Sequence, residues 1–226
     1  MQYQIRGENL PVLDVNLEKG ESIYTEAGGM GWMSANIDMS TNMKGGLGKA
    51  IGRVFGGESL FMTTYTCNSG SGLVTFCSEF PGKIVTFDFT SESQPIICQR
   101  DAFMAAQPSV ELSVEIVRKL GAGFFGGEGF FLQKISGQGT AWLELAGDVT
   151  EYELKEGQVL KVDPGHIAAF ESQVTYDISR VKGLKNMLFG GEGIFLATLT
   201  GPGKIWLQSM PIANLVKKIV HTLPKK

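Results

Sequence analysis

FGGEGFFLQKIS, residues 125–136, occurs in this chain in three versions. The other two are FGGESLFMTTYT at 55–66 and FGGEGIFLATLT at 189–200. Each version places Phe-Gly-Gly-Glu shortly before a run that is prone to form a β-strand. Similarity at a regular spacing indicates a fold built from internal repeats. The motif glycines are 70 residues apart between the first two copies (126 − 56) and 64 apart between the last two (190 − 126).

The similarity extends to both sides of the glycine motif. The segments that precede the motif resemble one another, at 20–40, 94–113 and 157–179, and so do those before them, at 10–21, 82–93 and 147–158. We therefore predict one domain, residues 1–226, that contains three internal repeats of about 65–72 residues. Their approximate bounds are 10–81, 82–146 and 147–226.

Most apolar runs in the chain are short and alternate between apolar and polar residues. Examples are VTFDFT at 85–90, TEYELK at 150–155 and VTYDIS at 174–179. This period of two indicates half-buried antiparallel strands, and the Gly-rich turns SGSG, SGQG and GPG predict hairpins between them. The predicted fold class is all-β. Three copies of one unit are expected to close around a pseudo-threefold axis into a double-stranded β-helix or sandwich-like domain.

Helical patterns are confined to two kinds of place. The segments before each FGGE predict a turn or two of helix. At the C-terminus, apolar residues recur at helical spacing after Pro211 and predict an amphipathic helix: Ile212, Leu215, Val216, Ile219 and Val220. We expect this helix to cover an exposed sheet edge.

Composition excludes several classes of protein. The net charge of −3 gives no general attraction to nucleic acid or anionic lipid. The three cysteines, Cys67, Cys77 and Cys98, show no metal-binding spacing, which favours reduced thiols and a cytoplasmic location. The alternative is an oxidising compartment, in which Cys67 and Cys77, which flank one predicted hairpin, would form a disulfide. No signal peptide and no apolar run long enough to span a membrane is present in the sequence.

Several of these features together resemble a known family. The triple FGGE pattern, the Gly-rich turns and the segments TEYELKEGQ at 150–158 and VDPGHIAAF at 162–170 are similar to bacterial members of the mitochondrial biogenesis family. The resemblance covers nearly the whole chain and implies a fold similar to that of the tryptophan RNA-binding attenuation protein. It also implies that eukaryotic relatives are associated with the organisation of the mitochondrial inner membrane. The likeness to an RNA-binding protein is an analogy of fold.

The FGGE motif has two interpretations. In the first, paired glycines bind an anion and the three glutamates act as acid–base groups or cation ligands: Glu58, Glu128 and Glu192. In the second, the motif is a structural corner before a strand, made by Phe55, Gly56, Gly57, Phe125, Gly126, Gly127, Phe189, Gly190 and Gly191. Equal use in every repeat favours the structural corner, because a catalytic site rarely needs three copies.

Basic residues precede FGGE in every repeat, and we call this set the basic rim: Lys49, Arg118, Lys119, Lys182 and Lys185. Threefold folding would gather the basic rim on one face, where it would bind the phosphates of RNA or of lipid headgroups. The alternative is a solvated polar rim that keeps sheet edges apart.

No catalytic constellation is visible in the sequence. The two histidines, His166 and His221, have no partner at ligand spacing, so we predict no metal, no cofactor and no enzymatic activity. His166 aligns with Met30 and Phe103, which indicates a packing or loop role. The predicted function is an oligomeric scaffold or binding module. The alternatives are binding of RNA or anionic membrane through the basic rim, and binding of a small molecule or metal through the repeated glutamates.

Overall fold

The computed structural model describes residues 1–26, 28–43, 61–116, 131–180 and 195–222. These residues are predominantly β-strand, with one short helix at the C-terminus. The all-β prediction is therefore confirmed. Short 3₁₀ turns occur at Arg100–Ala102 and Pro164–His166.

The strands follow one another with short connections. The first seven are β1 (Gln2–Arg6), β2 (Val12–Glu18), β3 (Ser22–Glu26), β4 (Met30–Met33), β5 (Ile37–Met43), β6 (Phe61–Cys67) and β7 (Ser71–Cys77). The next six are β8 (Gly82–Phe89), β9 (Ile96–Gln99), β10 (Phe103–Ala106), β11 (Val110–Ile116), β12 (Phe131–Gly137) and β13 (Gly139–Ala146). The last six are β14 (Val149–Leu154), β15 (Val159–Val162), β16 (Ile167–Glu171), β17 (Thr175–Arg180), β18 (Phe195–Thr200) and β19 (Gly203–Gln208), and the helix α1 (Ile212–Thr222) follows.

The strands form four antiparallel sheets. Sheet 1 has the order β1-β2-β7-β4 and sheet 2 the order β5-β6-β3-β10-β13-β8. Sheet 3 has the order β11-β12-β9-β16-β19-β14 and sheet 4 the order β15-β18-β17. None of the four closes into a barrel over the described strands. Closure around a pseudo-threefold axis and the double-stranded β-helix stay predictions.

The same pairing order recurs along the chain. Three groups of strands have the orders β2-β7-β4, β8-β13-β10 and β14-β19-β16, and three more have the orders β5-β6-β3, β11-β12-β9 and β17-β18-β15. The groups are joined side by side where β3 pairs with β10 and where β9 pairs with β16. The first three groups share a register shift at the start of β4, β10 and β16. A shift of this kind is a β-bulge, which bends a strand locally.

Three hydrophobic cores connect the sheets. The first combines residues of sheets 1 and 2, such as Leu13 and Tyr65. The second combines residues of sheets 2 and 3, such as Phe87 and Ile135, and the third combines residues of sheets 3 and 4. Sheets 2 and 3 therefore bury both faces, which explains why strands such as β10 and β13 are buried at nearly every position.

The predicted hairpins at SGSG, SGQG and GPG are wrong. The strands before and after each turn lie in different sheets: β6 and β7, β12 and β13, and β18 and β19. Tyr65 of β6 and Phe76 of β7 instead contact each other across a core, with ring centroids 5.9 Å apart. Alternation of apolar residues fits both a hairpin and two facing sheets, because each arrangement needs one buried face per strand.

The C-terminal helix is confirmed, whereas its expected role of covering a sheet edge stays a prediction. Ile212 and Leu215 are half-buried, whereas Val216, Ile219 and Val220 are exposed. The second half of α1 therefore covers no sheet edge formed by the described residues. The helical turns predicted before each FGGE lie outside the described residues.

Candidate functional site

The site residues predicted from sequence lie outside the part of the chain that the structure describes. They are Glu58, Glu128 and Glu192, the basic rim, and the Phe-Gly-Gly positions of all three motifs. Their roles stay predictions. Within the described ranges, no group of three or more His, Cys, Asp or Glu residues is placed to hold a metal ion. The three cysteines are free thiols, of which Cys67 and Cys98 are buried.

His166 is placed in a loop. It ends the 3₁₀ turn Pro164–His166, and its Nδ1 lies 2.8 Å from the carbonyl oxygen of Gln208. The side chain of Asp163 caps the turn by accepting a hydrogen bond from the backbone N–H of Gly165, at 3.0 Å. This agrees with the loop role expected from the sequence, although the residue that pairs in the same way as Met30 and Phe103 is Ile167 and not His166.

A second polar cluster joins sheet 3 to this turn. The side-chain amide of Gln208 donates to the side-chain oxygen of Gln99 and to the carbonyl of Gly165, both at 3.0 Å. Its own oxygen accepts from the backbone N–H of Ala146, at 3.0 Å. Every polar atom of the buried Gln208 side chain thus has a partner, as expected for a structural amide.

Glu144 of β13 is the most perturbed acid in the described part of the chain. Its carboxylate accepts a hydrogen bond from the backbone N–H of Glu79 at 3.0 Å. Burial raises the pKa of Glu144 to about 7, and the nearby charges of Glu79 and Asp101 act in the same direction. A buried acid with a raised pKa marks either a functional group or a structural proton site. The burial of Glu144 and its hydrogen bond from the backbone of Glu79 fit a structural proton site.

The outer face of sheet 1 carries a different polar group. Asp14 accepts hydrogen bonds from the hydroxyl of Thr75 at 2.7 Å and from the Nε of Arg6 at 2.5 Å. The hydrogen bond from Arg6 is the main reason that the pKa of Asp14 is lowered. Arg6 is well exposed, so we expect this pair to contribute little to stability.

The three tryptophans show how the outer sheet 1 differs from the inner sheets 2 and 3. Trp142 on β13 is fully buried, and Trp206 on β19 is 7% exposed. Trp142 and Trp206 occupy equivalent positions in β13 and β19. The equivalent position in β7, the corresponding strand of sheet 1, is Thr75. Sheet 1 has its tryptophan on the next strand, at Trp32 of β4, which is 48% exposed. Trp32 is therefore half exposed at a position where the inner sheets carry the fully buried Ala105 and Ala169.

The uncovered strand β4 is the edge of sheet 1, and β15 is the edge of sheet 4. Met33 next to Trp32 is 37% exposed, and Val159 on β15 is 51% exposed. Neither edge has a neighbouring strand among the described residues. These two edges, which we call the β4 edge and the β15 edge, form the candidate interaction site.

The sequence alone does not identify these two edges. A Met- and Trp-rich run such as GGMGWM has the composition of a buried strand, and any apolar surplus in it suits a self-association face. The alignment of Trp32 with Ala105 and Ala169 contained a usable indication. A large aromatic residue where the other repeats have alanine shows that the surroundings of this position differ.

Comparison with known proteins places the chain in a family. The family model described as mitochondrial biogenesis AIM24 matches residues 3–210. An uncharacterized protein of Streptococcus pyogenes serotype M6 is 28% identical over 99% of this chain and 92% of its own length. A crystal structure of a Streptococcus pyogenes protein matches with a TM-score of 0.76 and 27% identity, over 98% of this chain and 99% of that one. The resemblance to the mitochondrial biogenesis family is thereby confirmed, whereas the likeness of fold to the tryptophan RNA-binding attenuation protein stays a prediction. The chain belongs to the mitochondrial biogenesis AIM24 family.

Proposed function

We propose that this protein is a non-enzymatic, self-associating scaffold or binding module of the cytoplasm, built from three copies of one six-strand unit. The recurring pairing orders and the shared β-bulge support the three-unit architecture. The free cysteines support a reducing compartment.

One observation carries the self-association. Sheets 2 and 3 each contain six strands, made of two three-strand groups side by side, whereas sheet 4 contains only one such group and sheet 1 contains one with β1 added. Among the described strands, each outer sheet thus has one three-strand group where an inner sheet has two. Exposed apolar side chains lie at their free edges, including Trp32 and Val159. Exposed apolar residues on an unpaired strand favour association with another sheet edge.

Sedimentation velocity tests this proposal on the purified protein. We expect a species larger than the 24.5 kDa chain at micromolar concentration, dissociating on dilution. Because apolar contacts respond little to salt, the oligomer should persist at about 0.5–1 M NaCl, a concentration at which interactions between surface charges are largely screened. A sedimentation coefficient of the monomer at every concentration up to about 100 µM, a range in which specific interfaces are normally populated, would contradict self-association.

The C-terminal helix favours a second candidate function, binding to an anionic membrane. Val216, Ile219 and Val220 form an exposed apolar stripe, and Lys218 and His221 lie on the opposite, exposed side. An amphipathic helix with basic residues on its polar face binds in the plane of a lipid surface. No helix in the described ranges is long and apolar enough to cross a membrane, so this binding would be peripheral.

Vesicle co-sedimentation tests the second candidate. We expect the protein to bind vesicles that contain phosphatidylserine more tightly than neutral ones. Replacing Val216, Ile219 and Val220 by serine should weaken that binding by about tenfold or more, because burial of the apolar face supplies most of the energy. Asn214→Ser on the polar face is the matched control and should bind like the wild type. Equal binding of the triple variant and the wild type would exclude the helix as the membrane contact.

A further inference from the structure

We infer that the β15 edge of one copy pairs in antiparallel fashion with the β4 edge of a second copy, joining sheet 4 of one chain to sheet 1 of the next. This inference rests on the self-association proposed above and specifies its interface. The pairing would complete a sheet with the order β17-β18-β15-β4-β7-β2-β1. Apart from the added β1, this is the arrangement that sheets 2 and 3 already have.

The chain itself supplies the template for this junction. Within sheet 2, Tyr24 of β3 pairs with Ala106 of β10. Within sheet 3, Ile97 of β9 pairs with Phe170 of β16. In both cases the second strand of one six-strand unit pairs with the third strand of the next unit. The third unit contributes β15 as its second strand, and the described residues provide no third strand for it to pair with.

The register of the expected junction follows from the pairs already formed. Tyr24, Ile97 and Lys161 lie opposite equivalent residues of the strands after FGGE, namely Thr64, Lys134 and Thr198. Ala106, Phe170 and Met33 lie opposite equivalent residues of the last strand of each unit, namely Ala141, Ile205 and Val74. Lys161 of one copy should therefore pair with Met33 of the other.

Burial at the equivalent positions supports this register. Tyr24, Ala106, Ile97 and Phe170, which form the two junctions, are all buried in the cores between the sheets. Met33 and Lys161 occupy the same places but are exposed. The same contrast holds for Trp32, whose counterparts Ala105 and Ala169 are fully buried. The β4 edge thus has the apolar surface of a strand that is normally covered.

Lys161 needs a separate argument, because lysine on an edge strand commonly prevents pairing. In the expected register its alkyl chain lies beside Met33, on the face of the sheet opposite to Trp32. A lysine side chain can cover apolar groups in this way while its ammonium stays in water. The junction is therefore weaker than the two inside the chain, which suits a reversible assembly.

The two edges differ, so the contact is head-to-tail. Each copy offers one β4 edge and one β15 edge, and a contact of this type builds a ring if the rotation between copies closes and an open filament if it does not. A dimer in which two β4 edges meet, or two β15 edges meet, is incompatible with it.

Disulfide trapping between two different variants tests the interface. One variant carries Met33→Cys and the other Lys161→Cys, both with Cys77→Ser; the native Cys67 and Cys98 are buried. Directly opposite residues in an antiparallel pair are close enough for a disulfide after small adjustments. We expect mild oxidation to give a cross-linked dimer from the mixture and none from either variant alone. The matched control is Asp177→Cys, which lies on the opposite edge of sheet 4 and should not cross-link to Met33→Cys.

A charge test gives an independent readout in solution. Met33→Lys places two like charges opposite each other and should shift the protein to the monomer in sedimentation velocity, raising the dissociation constant at least tenfold. Lys161→Glu in the same chain should restore the oligomer. If the wild type is only monomeric, both the proposed function and this inference fail. If the wild type associates but neither the trapping nor the charge pair has an effect, the self-association stands and this interface is overturned.

Discussion

Replacing Trp142 by alanine is expected to lower the free energy of unfolding by about 3–5 kcal/mol, the range for deleting a fully buried aromatic side chain. Trp142 is completely inaccessible to solvent and belongs to the core that joins sheets 1 and 2. Tyr3 of the added strand β1 packs against it edge-on, with ring centroids 5.1 Å apart. Its indole N–H has no hydrogen-bond partner among the described residues, so the loss comes from packing.

Trp32→Ala is the matched control for this experiment. It removes the same side chain from the outer sheet, where nearly half of it is exposed. At a protein concentration low enough to keep the chain monomeric, we expect this variant to lose less than about 1 kcal/mol. Urea denaturation followed by circular dichroism measures both variants. Equal destabilisation by the two substitutions would show that Trp32 is as well packed as Trp142 in the monomer and would contradict its assignment to an open edge.

Glu144→Gln is expected to remove a pH dependence of stability. The folded-state pKa of Glu144 is raised to about 7 by burial, whereas the unfolded chain has the ordinary value of 4.5. Between these values the folded protein keeps a proton that the unfolded chain has lost, so the stability of the wild type should fall as pH rises from about 5 to about 7. The glutamine variant should not show the part of this fall that Glu144 causes, whereas the part that comes from Glu26, whose pKa burial also raises, should remain. At pH 8 it should be more stable than the wild type by on the order of 1–3 kcal/mol, and at pH 5 nearly equal to it.

Glu144→Leu separates titration from hydrogen bonding. Glutamine keeps an oxygen that can accept the hydrogen bond from the backbone N–H of Glu79, and leucine does not. The leucine variant should therefore also lack the pH dependence that Glu144 causes but be less stable than the glutamine variant, by about 1–3 kcal/mol, at every pH. Denaturant titrations of the wild type and both variants at about pH 5, 6, 7 and 8 measure these differences, because this range runs from near the ordinary pKa of a glutamate to above the raised one. A wild-type profile that is flat over this range would show that Glu144 is ionised in the folded protein.

The sequence predicts most strands and the C-terminal helix correctly, but it does not predict which strands pair with each other. Alternation in VTFDFT and VTYDIS predicts strands correctly, because one buried face per strand is a local property. The apolar spacing from Ile212 to Val220 predicts α1 for the same reason. The choice between a hairpin and two facing sheets at SGSG is not local. It depends on whether Tyr65 and Phe76 meet across a ladder or across a core, and the two arrangements give the same pattern.

The candidate site depended on context that composition does not contain. MGWM and FMAA are both apolar four-residue strands, yet β10 is covered by β3 and the free edge of β4 has no neighbour among the described strands. Glu144 shows the opposite case. It occupies the polar place in AWLEL and would be assigned to the surface, but sheet 2 is packed on both faces. Position within the stack of sheets, which only the tertiary structure reveals, determines the environment of each residue.

The sharing of cores between sheets has a consequence for dissecting this protein. The strands β8 to β13 place one three-strand group in sheet 2 and another in sheet 3, so this stretch of the chain forms no complete inner sheet by itself. A fragment cut between β13 and β14 would expose half of a core that the other fragment normally completes. Such a fragment would have to recruit other copies to fold, whereas the intact chain carries two of these contacts within one covalent molecule. Because these contacts form within one covalent chain, the assembly of the inner sheets 2 and 3 does not depend on protein concentration.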